Sequence, residues 1–160
     1  MQTSYSYNTP IGAAGGIVDL APHFIASFIN EADTGALGFG MGCVKGTKAG
    51  YGVKLPVSGS AAGDFEGIIT NRRTTELDLD GNLSLRNKCA LGVMRYGLIY
   101  AVLADGATPE YGDAVYMVKS GDDAGKFTDS SSSTLAIKGR FLSGADNGVA
   151  IVELFNQAQS

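Results

Sequence analysis

His23 is the single histidine of the 160 residues, and so the one side chain that could act as a general base at neutral pH with an unshifted pKa. It stands between Pro22 and Phe24, with no nucleophile at hand and no carboxylate before Glu31. A packed or surface histidine is the simpler reading. Zinc would need a long-range assembly of ligands, because the chain offers one His and two separated cysteines, Cys43 and Cys89, with no CxxC spacing. Two buried thiols are expected of that pair. Asp78, Asp80 and Asn82 alternate oxygen donors as a calcium loop does, but that frame puts Leu83 where the sharp-turn glycine belongs and Cys89 where the bidentate glutamate belongs. Asp122 and Asp123 read as turn formers. The stretch Gly35-Ala36-Leu37-Gly38-Phe39-Gly40-Met41-Gly42 has GxGxG spacing but neither the Lys-Ser/Thr of a phosphate loop nor a following helix pattern. It is read as a strand whose glycines admit close backbone or aromatic approach. Nothing supports a Ser-His-Asp arrangement or a glycosidase carboxylate pair. The sequence therefore predicts no catalytic residue, no metal site and no cofactor: a protein that works by surface.

The elements that would carry such a surface are strands. Twenty-three glycines punctuate short apolar runs, the hydrophobic fraction is 44% and the charged fraction 18%. A chain of this length buries about 70% of the surface its unfolded form exposes, enough for one domain with a real core. Alternation through Glu76-Leu77-Asp78-Leu79-Asp80-Gly81-Asn82-Leu83-Ser84-Leu85-Arg86 predicts a hairpin. With Asp80, Gly81 and Asn82 as a three-residue loop, Leu79 faces Leu83, Leu77 faces Leu85 and Glu76 faces Arg86, so apolar meets apolar and charge meets opposite charge. Further strands are expected at 37–45, 52–57, 65–70, 89–94, 97–103, 114–118, 135–142 and 149–155, with turn chemistry between them. The segment 22–31 places Phe24, Ile25, Phe28 and Ile29 at helical spacing, yet its aromatic and β-branched content favours a strand buried on both faces.

The whole predicts an all-β, single-domain β-barrel or jelly-roll-like sandwich of about ten short strands, residues 15–160. Residues 1–14, rich in Thr, Ser, Tyr and Asn, form an extended N-terminal arm in this reading. Asp129-Ser130-Ser131-Ser132-Ser133 reads as an exposed mobile loop. A faint internal echo sets Val44-Lys45-Gly46 and Phe65-Glu66-Gly67 beside Val118-Lys119-Ser120 and Ile137-Lys138-Gly139, too weak by itself to establish a duplication.

Charge narrows the partners. A net charge of −4, with Arg72-Arg73 as the densest basic spot, argues against sequence-independent binding to nucleic acid. There is no apolar run long enough to span a membrane, and the N-terminal residues lack the pattern of a signal peptide, so synthesis in a cytosol is expected. Tyr5 and Tyr7 would supply contact area with a polar handle, and Arg72 and Arg73 bidentate bonds to carboxylates. A solvated strand end is the plainer reading of the arginine pair.

Several segments, in order and nearly end to end, resemble the structural cement, or capsid decoration, proteins of tailed bacteriophages. They are Pro10-Ile11-Gly12-Ala13-Ala14-Gly15-Gly16-Ile17-Val18-Asp19, Phe65-Glu66-Gly67-Ile68, Tyr111-Gly112-Asp113-Ala114-Val115-Tyr116 with Gly125-Lys126-Phe127-Thr128, and Gly148-Val149-Ala150-Ile151-Val152-Glu153-Leu154. Gly16 stands where that family usually has a glutamine. The resemblance implies a small barrel on the outer surface of an icosahedral head, made in the bacterial host cytoplasm. There it would bridge adjacent major capsid subunits as a homo-oligomer, dimer or trimer, with the arm able to add a strand to a neighbour's sheet edge. Tyr5, Tyr7, Arg72 and Arg73 are the expected contact residues. Two rival readings are a carbohydrate-binding β-sandwich on a virion surface, weakened by the absence of Trp, and a cupin-like enzyme, nearly excluded by a single histidine.

Overall fold

A computed structural model of the chain describes residues 11–71 and 84–156. Nine strands lie among them: β1 (Phe24–Asn30), β2 (Gly42–Lys45), β3 (Gly52–Lys54), β4 (Phe65–Ile69), β5 (Ala90–Val102), β6 (Ala114–Val118), β7 (Phe127–Thr128), β8 (Thr134–Phe141) and β9 (Val149–Leu154), with one 3-10 turn at Ala62–Asp64. The chain is all-β with a barrel core, as the punctuated apolar runs predict. Segment 22–31 does hold a strand, β1, but not one buried on both faces: Phe24 and Ser27 are exposed and only Phe28 and Asn30 are buried. The predicted hairpin falls mostly outside the described residues; of it, Ser84, Leu85 and Arg86 are seen, outside any strand.

Two expectations are corrected. The glycine run does not extend as a strand from residue 37: Gly35 and Gly40 hold φ of 81° and 76°, the left-handed region, and the strand starts only at Gly42. The close approach expected there is real, since Gly40 donates its N–H to Ile69 O and accepts from Val102 N, and a Cβ on Gly42 would meet Met117 and Phe127. The strands expected at 89–94 and 97–103 are one 13-residue strand, β5, which continues through a bulge rather than turning.

Shared use of β5 organises the molecule. Its first half pairs with β1 and β4, and since β1 also pairs with β3, β3 with β2 and β2 with β4, these five elements close a ring. Its second half pairs with β9, followed by β8, β6 and β7, and a parallel bridge from Leu103 to Phe127 closes a second ring. Closure removes the open edges on which a β-protein would aggregate.

The two rings are the same arrangement twice. Each runs from an opening strand, β1 or the second half of β5, through a three-stranded unit to a closing strand, the first half of β5 or β9. Individual bonds correspond: Asn30 N to Cys89 O (2.9 Å) matches Leu103 N to Gly148 O (2.8 Å), Glu31 N to Val53 O matches Ala104 N to Phe127 O, and Thr70 N to Gly92 O matches Leu142 N to Ile151 O, the last four all 2.8 Å. The echo noted in the sequence aligns Gly67 with Gly139, as the pairing does. It sets Lys45 against Lys119, whereas the pairing sets it against Met117.

Two cores result. Phe28, Leu37, Cys43, Val53, Ile69, Leu91 and Val93 fill the first ring. Their chain neighbours Val44, Ile68 and Met94 point the other way and join Ile99, Met117, Phe127, Phe141 and Val152 in the second core. Runs of β2, β4 and the first half of β5 are thus buried on both faces, which is why they read as unbroken apolar stretches rather than alternating ones. Each such side chain withdrawn from water contributes about 1.5–3 kcal/mol. Asn30 is fully buried beside them, but its polar atoms are used: Nδ2 donates to Arg86 O (2.9 Å) and Oδ1 accepts from Ala32 N (2.9 Å), fixing the 85–86 backbone against the end of β1.

Candidate functional site

Tyr5, Tyr7, Arg72 and Arg73 all lie outside the described residues. The residues at which those two segments join the fold are described, and they touch. Ile11 N donates to Asp146 Oδ2 (3.1 Å), and Gly12 lies against the Tyr100 ring so closely that no Cβ would fit. Gly15 N donates to Tyr100 O (2.8 Å), and Ile17 bridges Ile99 in antiparallel fashion. Asn71 N donates to Gly15 O (2.7 Å) and its Nδ2 to Ala14 O (3.3 Å). Ala14 and Gly15, near the N-terminal stretch, and Asn71, just before the arginine pair, are therefore neighbours beside the second half of β5.

The residues with chemical potential are dispersed. His23 is exposed, its Nδ1 hydrogen-bonded to Ala21 O (3.0 Å). Glu31 lies at the opposite end of β1, roughly 25 Å along the strand, and its carboxylate accepts from Thr47 N (2.5 Å) and Lys48 N (3.3 Å). The Thr47 amide, followed by the Lys48 amide and the charge of Lys54, holds this carboxyl below its ordinary pKa. Asp123 is a turn former as expected: it accepts from Lys126 Nζ (2.7 Å) and Asp105 N (3.1 Å), and its pKa is lowered chiefly by that lysine. Cys43 is buried and burial pushes its thiol well above the normal range, whereas Cys89 is only half-buried. No group of three His, Cys, Asp or Glu suited to a metal occurs among the described residues, and no helix among them is long and apolar enough to cross a membrane.

One surface feature was not singled out in the sequence. β1 and β9 both run antiparallel to β5, Phe24 opposite Tyr96 and Leu154 opposite Gly97, so the end of β9 meets the start of β1 at the waist between the rings. An open cleft of about 490 Å³ lies there, lined by Phe24, Arg95, Tyr96 and Asn156. Ile25 pairs with Met94 while Phe24 pairs with Tyr96, which makes Arg95 the extra residue of a β-bulge. The available signal was the Arg95-Tyr96 gap between two predicted strands, followed at once by Gly97, since a glycine inside a strand pattern often marks a bulge.

A family profile described as structural cement protein (E217 gp24/Pam3 gp6) matches residues 1–155. The chain belongs to that family. It is a family of phage structural proteins, and the segments quoted from the sequence lie within the match. Among solved structures, this cement protein is similar to a chain described as "The capsid of Myoviridae Phage XM1", with a TM-score of 0.75, 18% identity, and 99% of each chain covered. At that identity the likeness concerns the fold: the double barrel is shared from end to end. No curated protein matches.

Proposed function

We propose that this protein is a non-enzymatic cement that binds the outer surface of the phage head and bridges neighbouring major capsid subunits. The family match over residues 1–155 carries the reading. The fold supports it, because two closed rings built on one pairing plan give a stiff body with two comparable faces, suited to touching two neighbours at once. The ligand in this account is the assembled lattice: whatever binds the shell but not free subunits stabilises the shell by mass action. Repetition over symmetry-related positions, and assembly as a dimer or trimer, multiplies modest contacts into strong retention. The protein is made in the bacterial host cytoplasm and joins the virion there.

Residues 1–14 act as the extended arm in this proposal, with Tyr5, Tyr7, Arg72 and Arg73 as contacts. What supports the grouping is the adjacency of Gly15 and Asn71 at the points where the two segments join the barrel. The test is sedimentation of purified protein with expanded empty capsids that lack it, followed by heating. Decorated shells should survive higher temperature than bare ones. Shells stripped of the protein that resist heat and package DNA as well as intact ones would end the proposal, and arm truncation that leaves occupancy unchanged would remove the arm from it.

A further inference from the structure

The waist cleft is built, not left over. Neighbouring residues of a strand ordinarily point to opposite faces, but the bulge turns Arg95 and Tyr96 into the same concavity. Gly97 follows with φ of 127°, and a Cβ there would stand 2.6 Å from His23 Cβ, so only glycine lets the chain of β1 approach so closely. The aromatic side chains brought together remain in solvent: Phe24 is 56% and Tyr96 42% exposed, with Leu20 at 98% just before β1 and Phe155 at 45% just after β9. Exposed apolar groups scattered singly need no explanation, but Phe24 and Tyr96 line one cleft together. The guanidinium of Arg95 is underused. Among the described residues its one ion pair, to Glu66, is 3.5 Å long, and its Nε is buried with no hydrogen-bond partner there. Aromatic area around an arginine with donors to spare is the composition of an interface hot spot.

Resting on the cement reading, we propose that this cleft receives an exposed segment of the major capsid protein in which a carboxylate sits beside an apolar or aromatic side chain. The carboxylate meets Arg95, and the apolar group lodges between Phe24 and Tyr96. Charge selects this occupant over a second copy of the chain. A two-fold contact through the cleft would set Arg95 against Arg95, with no unengaged carboxylate among the lining residues.

Capsid binding by variants tests this. Arg95→Lys keeps the charge near Glu66 but loses the planar fork, and should weaken sedimentation with empty capsids roughly tenfold. Phe24→Ser with Tyr96→Ser should weaken it further, with melting of the free protein unchanged because both positions are exposed. Replacing Phe24 by photoreactive benzoylphenylalanine gives a measurement independent of stability: irradiation on decorated capsids should join it to the major capsid protein. Wild-type affinity in both variants overturns the cleft assignment while leaving the cement reading intact. Failure of the wild-type protein to bind capsids removes both. Cross-linking only between copies of this chain marks the cleft as a self-interface and overturns the proposal.

Discussion

Gly67 in β4 and Gly139 in β8 occupy the same position in the two rings and are glycine for the same reason. A Cβ on Gly139 would stand 2.5 Å from the carbonyl oxygen of Glu153, and one on Gly67 would collide with the carbonyl oxygen of Met94, the matching residue of the matching strand. Backbone crowds both positions, so no side chain can yield.

Gly67→Ala and Gly139→Ala should each destabilise the protein by about 1–3 kcal/mol through overpacking. Gly67→Ala should be the worse, because that residue also holds φ of 150°. Gly59→Ala is the comparison: nothing lies within 4 Å of a Cβ there, and its midpoint should be unchanged. Thermal melts of the three variants decide, and equal midpoints would refute the crowding argument.

Asn30→Ala should cost about 2 kcal/mol, since it leaves the Ala32 N–H and the Arg86 carbonyl without their side-chain partner. Asn30→Leu, copying the matching Leu103, should not restore stability, because an apolar side chain still leaves the buried Ala32 N–H without the acceptor that Asn30 supplies. Denaturant unfolding with an unchanged slope and a lowered midpoint is the expected result for both.

Acid should unfold the protein in a defined window. Glu31, Asp64 and Asp123 are all held below their ordinary pKa values of 4.5, 3.8 and 3.8, by the Thr47 amide, the Lys45 ammonium and the Lys126 ammonium respectively. Depressed native values mean that their stabilisation is complete above those ordinary values and drains away as pH falls through the native ones. The melting midpoint should be level from about pH 8 to 5 and fall below about pH 4. Glu31→Gln should make the acid limb shallower, and an unaltered limb would show that the Thr47 and Lys48 contacts contribute nothing.

Asp146→Ala releases the N–H of Ile11 from its anchor. Limited proteolysis followed by mass spectrometry should show faster cleavage near residues 11–14, with the global stability lowered by at most about 1 kcal/mol. Equal cleavage rates would show that the contacts with Tyr100 suffice without Asp146.

Cys43 should resist thiol reagents in the native state and react only on unfolding, being buried and shifted toward the thiol form. Counting labelled sulfurs before and after denaturant checks this.

The strands were legible in the sequence because turn residues interrupt them: the starts at Gly52, Phe65, Ala114 and Val149 fall where the glycine and aspartate clusters place them. The duplication was barely legible. Pairing constrains which backbone groups meet, not which side chains they carry, so Asn30 and Leu103 can hold one bond in two chemical guises. The continuity of β5 was hidden because Gly97 looks like a stop, and a bulge lets a strand pass such a residue. The same bulge hid the cleft, since strict alternation places Arg95 and Tyr96 on opposite faces.

One strand belongs to both rings, and that has a mechanical meaning. A force pulling the two rings apart along β5 does not peel hydrogen bonds one at a time; it runs down a covalent backbone and reaches the flanking strands as shear, loading their bonds together. A body made this way resists stretching best along the line that joins its halves.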